Sequence, residues 1–348
     1  MLRSAARLLG LGTATPETFF TQPESIERLA RIWKLDAAAH RRFERIALNC
    51  GIERRHIVRP PEEAVRLTTG ERMQAYAKAA PDLAATAAAR ALSSIDLDPG
   101  AVTDLVVVSC TGFSAPGVDV ELVERLGLAR SVRRTGIGFM GCFGGISGLR
   151  TAAATAGADP AAVVLVVCIE LCSLHGRDDA DPQNQVASAL FADGAAAAVV
   201  AGATAPVAGE PIGGVDLGLT TVVPEARSWM TWTISDAGFV MTLDRRVPEA
   251  IREVAPSFLA RAAGDGPPLP ALAVHPGGPD ILRAVAGAAP NIDITASESV
   301  LRSHGNMSSA TILFVLEALH AGGASWPCLL LAFGPGLTVE GLRIHPVR

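Results

Sequence analysis

A cysteine in a glycine-rich turn is the first candidate for chemistry: Cys142, in FMGCFGGISGLRTAAATA. Glycine at 141, 144 and 145 lets the backbone turn sharply and a ligand approach closely, and an apolar helical pattern begins directly afterwards. Cys142 is therefore expected at or near a helix N-terminus, where free N–H groups and the helix dipole favour the thiolate. A free thiol titrates near about 8.5, so a thiolate majority at neutral pH asks for about 3.4 kcal/mol of extra stabilisation. A cationic partner is expected to supply part of it. The alternative is an inert core cysteine, the default for Cys50, Cys168, Cys172 and Cys328.

His275 stands in AVHPGGPDIL, a polar residue ending an apolar run before a Pro-Gly-Gly turn, which is where α/β sheets place ligands. Taken alone it is either a structural histidine or a reacting one. Asn306, in SHGNMSSATILFVLE, precedes an amphipathic helix and is either an N-cap or, beside His275, a second donor for a thioester carbonyl. No metal-ligand spacing, phosphate-binding loop or dinucleotide fingerprint is present.

These residues need elements to hold them. Four apolar runs read as buried parallel strands, at 104–110, 161–169, 271–275 and 328–333. Helical patterns fall at 75–92, 118–126, 144–156 and 308–320, so a mostly parallel sheet with helices outside it is expected. An offset of 164 residues relates Thr111 to His275, Cys142 to Asn306 and 166–168 to 330–332. Either common α/β spacings coincide, or the chain is an internal duplication with two halves meeting at a shared centre. The Pro/Gly-rich stretch 202–214 is the expected seam, giving an N-terminal half, 1–205, with the cysteine and a C-terminal half, 206–348, with His275 and Asn306.

Bulk properties narrow the function. The 348 residues are 49% hydrophobic, enough for a large core, and the net charge of −5 offers no basic face for nucleic acid. No apolar run approaches the ~20 residues that span a bilayer. The opening LLGLGTATP reads as a first strand ending in a turn rather than a targeting peptide. Six cysteines without framework spacing point to reduced thiols and a cytoplasmic location.

Taken together, GCFGG around Cys142, HPGGP around His275, GNMSSA around Asn306 and FGPGLTVE at 333–340 resemble the chalcone synthase-like, type III polyketide synthases. ELCSL at 170–174, ALFADGAAA at 189–197 and LDRRVP at 243–248 extend the likeness in order along nearly the whole chain, and SCTGF at 109–113 with ELCSL and LDRRVP looks closer to the bacterial branch. The resemblance implies an α/β thiolase-like fold of duplicated halves in α/β/α/β/α layers, and a homodimer. It implies no permanently bound cofactor, acyl-CoA and malonyl-CoA as substrates, and iterative decarboxylative condensation ending in a pyrone, resorcinol or related phenolic product.

By the same resemblance Cys142 holds the starter and growing chain, His275 keeps the thiol ionised, and His275 with Asn306 stabilises the enolate of decarboxylated malonyl-CoA. Phe191 matches an aromatic gatekeeper, and the second gatekeeper falls on Met241. Cys110 and Ser308 fall among the substrate-contacting positions, and Arg42 and Arg45, near Asn49, at those that hold CoA phosphates. A loop methionine that reaches the partner's cavity in plant members is Ala115 here. Two further positions depart from plant members: His175 replaces threonine, adding volume and a proton donor, and Trp232 replaces glycine in the cavity wall. With flexible Met241 these favour a small or re-routed cavity and a short starter or few extensions, unless the backbone yields, Trp232 points away, or a tunnel beside Met241 takes an alkyl tail. Competing functions are a ketoacyl synthase of the third type acting on carrier-bound chains, an inactive scaffold homologue, and a cysteine hydrolase.

Overall fold

The computed structural model describes residues 6–264, 269–323 and 326–347. Its main sheet has ten strands. In the first half the strands lie in the order Arg133–Gly138, Asp104–Ser109, Val163–Leu171, Asp193–Ala201, Arg7–Ala14. The first three are parallel, and Asp193–Ala201 runs against both of its neighbours. The second half repeats this scheme: Ala271–Val274 parallel to Cys328–Gly334, then Thr338–His345 antiparallel and paired with the short strands Gly213–Val215 and Leu219–Val222. A single parallel bridge, Ala271 to Asp293, stands where the first half has the whole Arg133–Gly138 strand.

The expected mostly parallel sheet is thus corrected to a mixed one, with six antiparallel pairings and three parallel ones. Asp193–Ala201 (DGAAAAVVA) lacks the β-branched run that marks a buried strand, because here it is alanine that lets helices pack close on both faces. The 164-residue offset also slips. It holds for Gly141 and Gly305, but the strands at 104 and 271 and the helices at 144 and 311 begin 167 apart.

Side-chain alternation sorts the layers. On Val163–Leu171, residues Val164, Val166 and Cys168 join a central cluster, while Val163, Leu165, Val167 and Ile169 face helix Thr69–Ser93. On Cys328–Gly334, Leu330 and Ala332 face the same centre, while Leu329, Leu331 and Phe333 face helices Val247–Ala263 and Pro279–Ala288. Between the two half-sheets lie helices Gly144–Ala158 and Thr311–Ala321, both apolar on nearly every face. The result is α/β/α/β/α.

Glycine sets how close the central helices come. A Cβ at Gly145 would stand 2.5 Å from the Ser309 carbonyl oxygen and 2.7 Å from the Ile312 side chain, and one at Gly144 3.1 Å from Ser309 Cβ. Glycine inside a helix costs about 1 kcal/mol against alanine, and here close packing offsets it. Gly144 and Gly145 therefore serve helix contact rather than ligand approach.

Candidate active site

Both central helices start with one local device. Gly141 (φ +78°) and Gly305 (φ +74°) occupy the left-handed region that favours glycine. Short 3-10 turns follow, Gly141–Phe143 and Ser308–Ala310, and each leads into its helix. Cys142 sits within the first turn and Asn306 just ahead of the second. The Ser308 hydroxyl and the Asn306 side chain face the Cys142 sulfur and favour its ionised form. Asn306 Oδ1 accepts the Ser308 backbone N–H at 2.8 Å, which leaves its NH2 for the thiol. Asn306 is therefore not the N-cap raised as one alternative, a place taken by Met307 for the turn and Ala310 for the helix; it braces the approach to the turn and faces the sulfur.

His275 follows the strand Ala271–Val274, and its N–H donates to the Leu331 carbonyl at 2.7 Å. Three residues further along that neighbouring strand, a Cβ on Gly334 would lie 3.5 Å from the Cys142 nitrogen, so His275 and Cys142 share one end of the sheet. The imidazole is 1% exposed, and neither ring nitrogen has a hydrogen-bond partner among the described residues. A buried polar group left unpaired is costly and calls for a reason.

Burial pushes the Cys142 thiol up to about 12, against the favourable influence of Ser308 and Asn306, and the Glu170 carboxylate adds to the rise. Burial likewise holds His275 down to about 3. In both groups desolvation is the largest influence.

Cys142 opens on a cavity of about 370 Å3 that also touches Cys110 and Ser308. A second cavity, of about 850 Å3, lies beside it, and both are partly open to solvent. Cys172, Phe191, Trp232 and Met241 line both and form the partition between them. Trp232 and Met241 pair directly across the hairpin made by Met230–Ser235 and Gly238–Leu243. The indole N–H of Trp232 donates to the Cys110 carbonyl at 2.8 Å, and its ring meets His175 and Phe239 edge-on. Trp232 therefore points into the wall rather than away from it.

His175 is no free proton donor. Its Nε2 is 2.6 Å from the Thr111 carbonyl oxygen and its Nδ1 accepts the Phe239 N–H at 3.1 Å, so both nitrogens are used and the ring is a neutral Nε2–H tautomer. Burial lowers it to about 4, in keeping with that state. Arg42 and Arg45 are exposed on helix Ala37–Asn49 and line neither cavity, whereas Arg55, Arg59 and Arg177 line the larger one.

Residue-by-residue reasoning passed over two groups. Cys172, assigned to the inert core, is part of the partition. Glu170 is fully buried beside Cys142 and accepts from the Cys110 N–H at 3.0 Å, the Thr111 hydroxyl at 2.7 Å and the Ser309 hydroxyl. A lone carboxylate in an otherwise apolar strand was the available signal.

Comparison with known proteins gives a consistent result. Residues 2–205 match the family described as chalcone and stilbene synthases, N-terminal domain, and residues 215–348 match its C-terminal domain. "Probable polyketide synthase 1" of Dictyostelium discoideum is 31% identical over 98% of this chain, which spans only 11% of that protein's length. "Bisdemethoxycurcumin synthase" of Oryza sativa subsp. japonica is 32% identical, covering 98% of this chain and 92% of its own. "Alpha-pyrone synthesis polyketide synthase-like Pks18" of Mycobacterium tuberculosis is 31% identical, covering 99% and 92%. Among solved structures, the C-terminal type III polyketide synthase domain of the Dictyostelium hybrid "Steely1" superposes with a TM-score of 0.89 at 30% identity, over 99% of this chain and 100% of that one.

Proposed function

Because this chain belongs to the chalcone and stilbene synthase family, the type III polyketide synthases, we propose that Cys142 is the nucleophile carrying its acyl group. It is an acyltransferase of that class. The observation that carries the residue assignment is the meeting of the Cys142 sulfur with the Ser308 and Asn306 side chains, Cys142 and Ser308 lining one cavity, with His275 unpartnered at the same end of the sheet. Neutral His275 takes the Cys142 proton as an acyl-CoA arrives, the thiolate attacks the thioester carbonyl, and CoA leaves as its thiol. Malonyl-CoA then loses CO2, and the enolate that remains is held by donors from His275 and Asn306. Its carbon attacks the Cys142 thioester, so that the new C–C bond forms as the C–S bond breaks.

The chamber at Cys142 is small and firmly walled, which supports a short starter or few extensions and closure to a pyrone, resorcinol or related phenolic product. The larger cavity behind the partition is the space for an acyl tail if the wall yields. We assign the CoA phosphates to exposed Arg42 and Arg45, and the division of the chain to 205/206. Homodimerisation is supported by the edge strand Arg133–Gly138, exposed along most of its length, beside Phe113 (54% exposed) and Phe139 (38%). Six free cysteines support a reduced, cytoplasmic setting, and no helix among the described residues is long and apolar enough to cross a membrane. The motifs SCTGF, ELCSL and LDRRVP support a place in the bacterial branch.

Intact-protein mass spectrometry with acyl-CoA tests the core of this. Cys142→Ala should take up no acyl group and Cys168→Ala should load normally. The wild type should then form product from malonyl-CoA without a carrier protein. An acylated Cys142→Ala protein would overturn the assignment.

A further inference from the structure

Arg72, in the first turn of helix Thr69–Ser93, is 1% exposed, yet no carboxylate among the described residues pairs with it. Its guanidinium is spent on backbone carbonyls: Nε donates to Leu67 at 2.9 Å, and Nη1 to Leu174 and, at 3.1 Å, to Gly176. Leu174 and Gly176 flank His175. Burial pushes Arg72 down to about 10, so it stays cationic at neutral pH. A buried cation outside any ion pair, with only the neighbouring Glu71 carboxylate acting on it through space, is an expensive way to fill space, and it is tolerated where its donors are directed.

The tip of the hairpin that carries Trp232 and Met241 reaches the same place. Gly238 lies over the guanidinium, where a Cβ would come within 2.8 Å of Nε. Thr69 Oγ1 accepts the Gly238 N–H at 2.7 Å and donates to the Ser235 carbonyl, and the Thr69 N–H donates to the Asp236 carbonyl at 3.0 Å. Thr68 and Glu71 cap this helix start reciprocally, so the platform itself is held. One helical turn thus ties the segment at 174–176 to the hairpin at 235–238. Those two segments supply His175, Trp232 and Met241 to the cavity walls, while Thr69 and Arg72 line neither cavity.

We propose that Arg72 and Thr69 are positioning residues that hold the partition between the two cavities, and thereby set which acyl starters this enzyme accepts. They do so without touching substrate or Cys142. This rests on the polyketide synthase reading above, in which the partition meets the acyl chain.

Two variants keep the test open. Arg72→Lys retains the charge but not the fork of donors, and Thr69→Val removes the hydroxyl with little change of volume. Loading of Cys142 by acetyl-CoA should stay within twofold of wild type in both. The ratio of hexanoyl-CoA to acetyl-CoA loading should change at least fivefold, through KM for the longer starter. Amide exchange in the Trp232–Met241 hairpin should rise at least tenfold, while that in helix Gly144–Ala158 stays unchanged. Folded variants with an unaltered starter ratio, or with unaltered hairpin exchange, would overturn the proposal. A wild-type protein that neither starter acylates at Cys142 would instead remove the functional reading, and the exchange data would still judge the clamp.

Discussion

Trp232 donates its indole N–H to the carbonyl oxygen of Cys110 at 2.8 Å, which fastens the hairpin that bears it to the turn beside the nucleophile. The bond makes the partition a fixed wall, since a large flat ring with its only donor engaged has little freedom to swing.

Removing that wall should join the two cavities. Trp232→Gly is expected to lengthen products or admit larger starters, at a stability cost below the ~3–5 kcal/mol of a core aromatic, since Trp232 is only half-buried. Trp232→Phe should keep the wall but loosen it, through loss of the bond to Cys110. Product mass spectra with acetyl-, hexanoyl- and aromatic-CoA starters decide the matter. An unchanged profile from folded Trp232→Gly would show that the ring does not limit the chamber.

Asn306 separates loading from decarboxylation. Asn306→Ala leaves His275 as the base for Cys142 but removes an enolate donor worth about 2.7–4 kcal/mol. Starter loading should survive while CO2 release from malonyl-CoA falls about a hundredfold or more. Equal losses in both steps would point instead to its bond to the Ser308 N–H, and hence to a bracing role.

Stability should fall as the solution is acidified below about pH 6.5. His175, His275 and His304 sit near about 4, 3 and 4 in the fold, below their ordinary 6.5, through burial. The unfolded chain therefore binds their protons first, so their contribution is complete above 6.5 and lost as pH falls toward the folded values. Asp193, pushed up by burial to about 6, acts in the opposite sense: its contribution is present below its ordinary 3.8 and lost as pH rises through 6. His56 is lowered by burial too and Glu170 is raised by it, so four histidines against two carboxyls leave a net loss between pH 6 and 4. Urea midpoints across that range should drop, and His304→Gln should lessen the slope by at most about 1.4 kcal/mol per pH unit. A flat profile would contradict the neutral histidines.

Much of the scaffold could be read from residue pattern, for physical reasons. Val163–Leu171 and Cys328–Gly334 are continuous β-branched or leucine-rich runs, and Val118–Leu126 shows a helical stripe, so period and length identify them. Arg133–Gly138 (RRTGIG) was not legible because an exposed edge strand has no apolar run, and Asp193–Ala201 because alanine carries no strand signature. Cys142 and Asn306 declared themselves through the glycine turns before two helices. The upward push of burial on the Cys142 thiol did not, since burial depends on layers that no local window contains. Arg72, within ERMQAY, looks like any helix-surface arginine until the hairpin tip folds over it.

The contact at Gly145 acts as a spacer gauge for the reaction centre. The sulfur sits on the turn that leads into one central helix and its amide and hydroxyl donors on the segment that leads into the other, so their separation is set by how tightly the two starts nest at Gly145 and Ser309. A single methyl group there would widen the gap while leaving every reacting side chain in place. The outcome would be a full set of tools that no longer meets on one workpiece.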